Sequence, residues 1–454
     1  MVMTIAGIDS GGGAGANADL KTFASLGVHG VVAVTSVTAQ NTYSVTGIYD
    51  LPPEAVVRQI QTVYEDMGID AAKTGMLSNK DIVSALAKEL KKYDFPLVVD
   101  PVMVAKSGAQ LLRDDAIDAL VKELLPRATV VTPNAPEAER ITGLKVSSID
   151  DARRAAKAIV DVTGAKAALV KGGHLNGDTV VDVLYYNGSY KEYSAPRIRS
   201  EDTHGTGDTL SAAIASYLAK GLDVPEAVGM AKEFITLSIA YSLRIGKGHG
   251  PVNPTAWTYL AYLKMNAIND VKEALDVLLR QQEYVSILVP EISMNIGEAL
   301  EYPYARSVND VVAVPGRITR YMNRIVVHGE PTPGASSHVA RAILTYMSMY
   351  PEYRAAANIA LNDYIKRAVE VLGYSYSYYD RSAEPEEVKE AEGGSIPWGI
   401  KRALKSSQRA VDVIYDTGDF GKEPGAFVFG RNAVEVAGKV VSIGRKVREL
   451  MERA

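Results

Sequence analysis

The strongest constraint on this chain is an alternation over its first 250 residues, in which short apolar runs are separated by longer stretches of helical period. Residues 4–8, 31–34, 71–74, 97–99, 130–132 and 167–170 are short and largely apolar, as strands buried on both faces should be. Between them, residues 53–67 and 151–162 space their apolar side chains as amphipathic helices do. Strands alternating with helices predict a parallel sheet covered by helices, an α/β architecture. Residues 180–186 and 190–194, joined across Asn187-Gly188, predict a hairpin, because Asn-Gly accepts positive φ at low cost. Two helical patterns, 206–220 and 225–241, close this region.

A Gly- and Pro-rich segment, residues 246–251, precedes the expected boundary, with domains at 1–260 and 265–454. Beyond it we expect helices at 267–282, 337–349, 364–372 and 432–450 and strands at 355–359, 375–379 and 411–415. These form a second, smaller α/β domain. The acidic stretch 384–392 is expected to be a solvated loop or helix face.

Composition removes several classes of function. There is no cysteine, so disulfides, thiolate metal sites and a cysteine nucleophile are excluded, and the 6 histidines are scattered rather than set at metal-ligand spacing. The net charge of −5 is too balanced for a nucleic-acid surface. No apolar run approaches the roughly 18 residues of a membrane helix, and residues 1–9 lack the pattern of a secretory signal, so a cytoplasmic protein with no membrane partner is expected. The basic residues shift in type: 17 Lys and 9 Arg up to Lys264, then 8 Lys and 15 Arg. Arginine's planar fork suits phosphates, so the second region either clamps a polyanion or forms ordinary surface ion pairs.

Gly205-Thr206-Gly207-Asp208 opens a helix. Its glycines allow close backbone approach to a phosphoryl group, and the N–H groups of the helix start favour the developing negative charge. Asp208 beside that anion hole can take the proton of an attacking hydroxyl, or it can simply cap the helix.

The run 202–213 around this tetrapeptide resembles the signature of the ribokinase-like vitamin kinases. The opening Ala6-Gly7-Ile8-Asp9-Ser10-Gly11-Gly12-Gly13-Ala14-Gly15, with Ala18-Asp19-Leu20-Lys21, is similar to the hydroxymethylpyrimidine (phosphate) kinase branch. Matches continue in order at Thr38-Ala39-Gln40, Lys73-Thr74-Gly75-Met76, Asp100-Pro101-Val102-Met103, Thr132-Pro133-Asn134 with Glu137, and Lys171-Gly172-Gly173-His174. The resemblance implies a ribokinase-like fold and ATP-dependent phosphorylation of an aminopyrimidine alcohol. Gly7, Asp19, Gln40, Met76 and Val102 would line the aminopyrimidine site. Asp100 and Glu137 would organise Mg²⁺. Gly205, Thr206, Gly207, Lys171 and Asn134 would face the nucleotide, and Asp208 would be the base. One departure stands out, since the bacterial pyrimidine kinases carry Cys where this chain has Asp208. Kinases of this branch also imply a homodimer.

The C-terminal half carries Pro315-Gly316-Arg317-Ile318-Thr319-Arg320, then Gly334-Ala335-Ser336-Ser337-His338, Asp380-Arg381, and Asp416-Thr417-Gly418-Asp419 followed by Lys422. The serines ahead of His338 sit where a helix would start, so hydroxyls, N–H groups and an imidazole can converge on one anion. In this order the motifs resemble the archaeal-type thiamine phosphate synthase domain. That implies pyrophosphate leaving a pyrimidine methyl carbon while the nitrogen of a thiazole phosphate attacks it. Arg320 and His338 would stabilise and protonate the pyrophosphate, with Arg317, Lys422, Asp416 and Asp419 as further phosphate or Mg²⁺ contacts. The partners implied are small molecules: the pyrimidine alcohol, ATP and the thiazole phosphate. The alternative is a kinase whose C-terminal module binds thiamine phosphate and regulates.

Overall fold

The computed structural model describes residues 1–105, 108–419, 421 and 423–453. The chain divides into two compact units, Met1–Thr258 and Tyr259–Ala454, with the division in the first turn of a helix, Ala256–Arg280. The Gly- and Pro-rich segment expected to lead out of the first domain belongs inside the first unit: Gly250 accepts a hydrogen bond from the His204 N–H, and His249 N–H donates to Thr42.

The first unit is built on one nine-stranded sheet. Its strands are β1 (Val2–Asp9), β2 (Gly30–Gln40), β3 (Val45–Asp50), β4 (Ala71–Thr74), β5 (Leu97–Val99), β6 (Val130–Val131), β7 (Ala167–Val170), β8 (Thr179–Tyr186) and β9 (Ser189–Pro196). They lie in the order β3-β2-β1-β4-β5-β6-β7-β8-β9. From β2 to β7 every neighbouring pair is parallel, while β3, β8 and β9 extend the edges antiparallel. Side chains alternate between two cores, as period-2 geometry requires. Leu97, Val99, Val131, Ala168 and Val170 enter one core, whereas Val98, Val130, Ala167 and Leu169 enter the other. Helices Pro53–Met67, Lys80–Leu90 and Ile149–Thr163 contribute to the first core, and Thr206–Ala219 and Val224–Ala240 to the second. Parallel strands place all their carboxyl ends along one edge, and there the loops carrying Asp9, Gly75, Asp100, Asn134 and Lys171 gather.

The second unit holds a seven-stranded, mainly antiparallel sheet. Its strands β10 (Ile296–Ala299), β11 (Val311–Ala313), β14 (Thr332–Pro333), β15 (Ala355–Ala360), β16 (Tyr376–Tyr379), β17 (Val413–Asp416) and β18 (Gly425–Gly430) run in the order β14-β11-β10-β15-β18-β17-β16. A separate hairpin joins β12 (Ile318–Tyr321) to β13 (Arg324–Val327). Only β16 and β17 pair in parallel, which sets Tyr379 opposite Asp416 at their carboxyl ends. Helices Ser337–Met347 and Ser395–Ser407 pack on one face through Ile343, Tyr346, Ile400 and Leu404. The acidic stretch departs from expectation at one position. Glu386, Glu387 and Glu390 are exposed, but Glu384 is only 4% exposed, lying near Arg381.

Candidate functional site

In the first unit a cavity of about 1090 Å³ opens along the carboxyl ends of the strands. It is lined by Gly7, Gln40, Met76, Val102, Asp100, Asn134, Glu137, Lys171, Gly205, Thr206, Gly207 and Asp208, so twelve of the residues singled out from the sequence meet here. Asp19 is the exception. Its carboxylate is fully buried beneath the cavity and accepts from Lys73 Nζ at 2.9 Å on both oxygens and from Thr4 Oγ1 at 2.6 Å.

The glycine-rich loop after β1 is held by Asp9, whose carboxylate accepts the N–H groups of Gly11, Gly13 and Ala14 at 2.8, 3.0 and 2.9 Å. His204 Nε2 stands 2.9 Å from the same carboxylate and 3.3 Å from Gln40 Nε2. The Gln40 Oε1 accepts from Thr38 Oγ1 at 3.1 Å. The Gly7 backbone lies close to Met76, since a side-chain carbon there would stand 3.2 Å from its Sδ.

Asp208 sits in the first turn of the helix Thr206–Ala219, where the N–H groups are free of side-chain capping. Its Oδ1 accepts from Lys73 Nζ at 3.0 Å, and the Gly15 N–H also donates to it. Burial alone would raise the Asp208 carboxyl, but Lys73, its hydrogen bond, the Gly15 N–H and His204 together hold it below the usual carboxylate range. Beside it, Lys171 Nζ donates to Asp100 Oδ1 at 3.0 Å, which also accepts from Thr132 Oγ1 at 3.1 Å. A side-chain carbon on Gly207 would stand 3.1 Å from Asp100 Oδ2 and 3.3 Å from Lys171 Nζ, so the anion hole and this pair share one space.

Glu137 and Asn134 form a reciprocal helix cap at 2.8 and 2.9 Å. Burial pushes Glu137 up to about 7, with Lys171 opposing and the Asp100 charge adding to the rise. Two buried carboxylates thus share one ammonium. That arrangement fits a divalent cation, although no group of three or more acidic or histidine ligands occurs among the described residues.

In the second unit His338 lies in the first turn of the helix Ser337–Met347, stacked on Phe427 with ring centroids 5.3 Å apart. The cap residue Ser336 does not spend its hydroxyl on this helix. Burial lowers His338 to about 4, and Arg317, Arg381 and Arg341 push the same way against Asp416. The imidazole is therefore neutral at physiological pH. Arg381 donates to Asp416 Oδ2 at 2.7 Å, an atom that also accepts from Tyr379 Oη at 2.9 Å. Arg317 has left-handed backbone, φ 70°, and donates to the Ile292 carbonyl.

Arg320 is exposed on the β12–β13 hairpin, as Arg317 is just ahead of it, and its Nε donates to the Met322 carbonyl at 3.0 Å. Asp416 is taken up by Arg381, Tyr379 and the Gly418 N–H, and Asp419 stands 4.0 Å from Lys389. Lys422 lies outside the described residues.

Sequence reasoning gave no role to Lys73, His204, Arg341 or Arg381. For Lys73 a signal existed: a lysine within a strand expected to be buried on both faces must find a carboxylate. Arg381 sits in the Asp380-Arg381 motif and Arg341 three residues after His338, which flags both without giving either a role.

Residues 9–253 match the phosphomethylpyrimidine kinase family, and residues 270–442 match thiamine-phosphate synthase ThiN. A hydroxymethylpyrimidine/phosphomethylpyrimidine kinase of Bacillus subtilis is 44% identical over 269 residues, covering 59% of this chain and 97% of that one. The thiamine biosynthesis bifunctional protein ThiED of Geobacter sulfurreducens is 47% identical over 253 residues, 56% of this chain, which spans only 51% of that relative. Among solved structures, the ADP complex of Bacillus subtilis pyridoxal kinase superposes with a TM-score of 0.52 at 37% identity, over 56% of this chain and 97% of that one. Staphylococcus aureus pyridoxal kinase with AMP-PCP and pyridoxal gives 0.52 at 36% identity, over 57% and 94%.

Proposed function

The chain belongs to the phosphomethylpyrimidine kinase family and carries a thiamine-phosphate synthase domain behind it, and on that footing we propose that it performs consecutive steps of thiamine biosynthesis. The first unit transfers phosphoryl groups from ATP to 4-amino-5-hydroxymethyl-2-methylpyrimidine and then to its monophosphate. The second joins the resulting diphosphate to hydroxyethylthiazole phosphate, releasing pyrophosphate. The observation that carries the kinase reading is the position of Asp208, ionised, at a helix start opening into the 1090 Å³ cavity.

In the kinase reaction Asp208 accepts the hydroxyl proton as the oxygen attacks the γ-phosphorus, the bond to ADP breaks, and ADP leaves. Backbone N–H groups at Gly205, Thr206 and Gly207 meet the transferring phosphoryl oxygens, with Lys171 supplying a cation next to Gly207. Asp100 and Glu137 would hold Mg²⁺, which when bound neutralises phosphate charge. Gln40, Met76, Val102 and Gly7 form the wall for the aminopyrimidine, with Gln40 as its hydrogen-bonding amide. Asp19 acts beneath this wall rather than in it.

In the second unit the start of the helix Ser337–Met347, His338 and the guanidiniums of Arg317, Arg341 and Arg381 form the anion site for the diphosphate. Arg320, on the hairpin that follows Arg317, is the proposed further contact to the leaving group. Neutral His338 first serves as a hydrogen-bond partner, and it gains a proton only as phosphate charge arrives. A homodimer in the cytoplasm completes the proposal.

Purified protein supplied with the pyrimidine alcohol and ATP should form the monophosphate and then the diphosphate. Added thiazole phosphate should give thiamine phosphate. Diphosphate without thiamine phosphate, together with tight binding of thiamine phosphate, would favour the regulatory module instead. Likeness to the pyridoxal kinases supports a second reading of the kinase cavity, and turnover on pyridoxal compared with the pyrimidine alcohol separates the two.

A further inference from the structure

Beneath the kinase cavity Asp208 is tied to two buried charges, Lys73 and Asp19, that have no part in the transfer step itself. Lys73 projects from β4 into the interior with no exposed surface, and its Nζ lies 2.9 Å from both Asp19 oxygens and 3.0 Å from Asp208 Oδ1. Thr4 Oγ1 fixes Asp19 from β1 at 2.6 Å. Gly75 leaves the space: a side-chain carbon there would stand 3.1 Å from Lys73 Nζ and 3.6 Å from Asp208 Oδ1. Burying three charged side chains is costly, and such a cluster persists only where every charge has a partner.

We propose that Lys73 is a positioning residue for phosphoryl transfer, holding Asp208 ionised and aimed into the cavity, and that Asp19 takes over as its counter-ion once Asp208 has received the substrate's proton. This rests on Asp208 being the base. One ammonium faces two carboxylates, and they are not equivalent. Burial raises the Asp19 carboxyl and Lys73 opposes that rise, whereas Asp208 is held below the usual range. Both carboxylates bond the ammonium before the transfer, Asp19 through both oxygens and Asp208 through one. When the hydroxyl proton reaches Asp208, Asp19 remains beside Lys73, so no unpaired cation is created inside the protein. The other titratable groups near Asp208 are His204, from the loop ahead of its helix, and Lys171 with its partner Asp100.

The test is the pH profile of kcat/KM for the pyrimidine alcohol in the full chain, with KM for ATP measured alongside. Lys73→Met should move the acid limb upward by about one pH unit or more, a loss of about tenfold or more at pH values below that limb, with KM for ATP unchanged. Asp19→Asn should move the limb downward, because Lys73 is then given wholly to Asp208. It should also lower the plateau about tenfold, because the ammonium is left unpaired after proton transfer. Lys73→Arg, which keeps the charge, should hold the limb near its wild-type place. A merely structural role predicts lost rate without these opposite displacements.

A folded Lys73→Met protein with an unmoved limb overturns the proposal. If Lys73→Met does not fold, Asp19→Asn decides, and a limb that stays in place or moves upward overturns it. Asp208→Asn distinguishes the layers. Full activity in that variant removes the base assignment itself, whereas an inactive Asp208→Asn beside an unmoved Lys73→Met limb removes only the role of Lys73.

Discussion

A side-chain carbon at Gly205 would stand 1.9 Å from the carbonyl oxygen of Gly13, so the loop before the helix Thr206–Ala219 and the loop after β1 touch backbone to backbone. Gly205 also has φ 78°, a region that strains other residues. Gly205→Ala should therefore separate the two loops and lower phosphorylation by about a hundredfold or more, the scale of an ångström-sized misplacement. Gly221→Ala, also at positive φ but with nothing within 4 Å, should cost only about 1–2 kcal/mol and leave turnover intact. Turnover and thermal unfolding of both variants check this, and an active Gly205→Ala would contradict it.

Asp208→Asn keeps the shape of the base and removes its charge. Phosphorylation of the alcohol should fall by about 10²–10⁴-fold, the usual contribution of a general base. The monophosphate already carries an anionic nucleophile, so its phosphorylation should fall less. Separate initial rates on the two acceptors give the comparison, and equal losses would contradict it.

Glu137 should make the response of the kinase to Mg²⁺ depend on pH. Its pKa of about 7 in the fold exceeds its ordinary 4.5, chiefly through burial. The stability this group contributes is therefore complete below about 4.5 and is lost as pH rises through about 7. A divalent cation bound by the ionised pair offsets that loss. Mg²⁺ with ADP should raise the melting temperature of the first unit more near about pH 8 than near about pH 5.5. Equal shifts would speak against Glu137 as a ligand.

For His338 the sign is reversed in charge type. Its pKa falls from 6.5 to about 4, first through burial, so its contribution to stability is present above about 6.5 and is lost as pH falls towards 4. Pyrophosphate arriving beside it favours the imidazolium. Binding near about pH 5.5 should therefore take up protons, visible in calorimetry as a heat that changes with the ionisation enthalpy of the buffer. A buffer-independent heat would show that His338 does not meet the anion.

Arg381 and Arg320 should differ in what they do for stability. Removing Arg381 leaves Asp416 and the buried Glu384 short of a cation, and breaking buried pairs costs up to about 3–5 kcal/mol. Arg320 is exposed, so Arg320→Ala should change stability by no more than about 0.5 kcal/mol. Denaturant unfolding of Arg381→Ala and Arg320→Ala tests the contrast, and equal costs would refute it.

The fold of the first unit was legible because its signals are local. Strands expected at 71–74, 97–99 and 167–170 are Ala71–Thr74, Leu97–Val99 and Ala167–Val170. The hairpin turn follows from Asn187 and Gly188, both at positive φ. The edge strand β3 was not foreseen, since its half-exposed residues lack the apolar run of its neighbours. In the second unit β10, β11 and β18 and the helix Ser395–Ser407 escaped too: three or four apolar residues do not separate strand from loop, and Pro397 masks a helix start that tolerates it.

What the sequence determined by itself was the alternation of elements, the glycine loops and the residue types at the cavity wall, because each is written in neighbouring positions. Only the tertiary structure decided that Lys73 joins residues 54 and 135 positions away, that Asp19 lies beneath the pyrimidine wall, and that Arg341 and Arg381 rather than Arg320 bear on His338. Charge pairing and burial depend on distances across the fold. They set which carboxylate is ionised and which imidazole is neutral, and no local pattern encodes them.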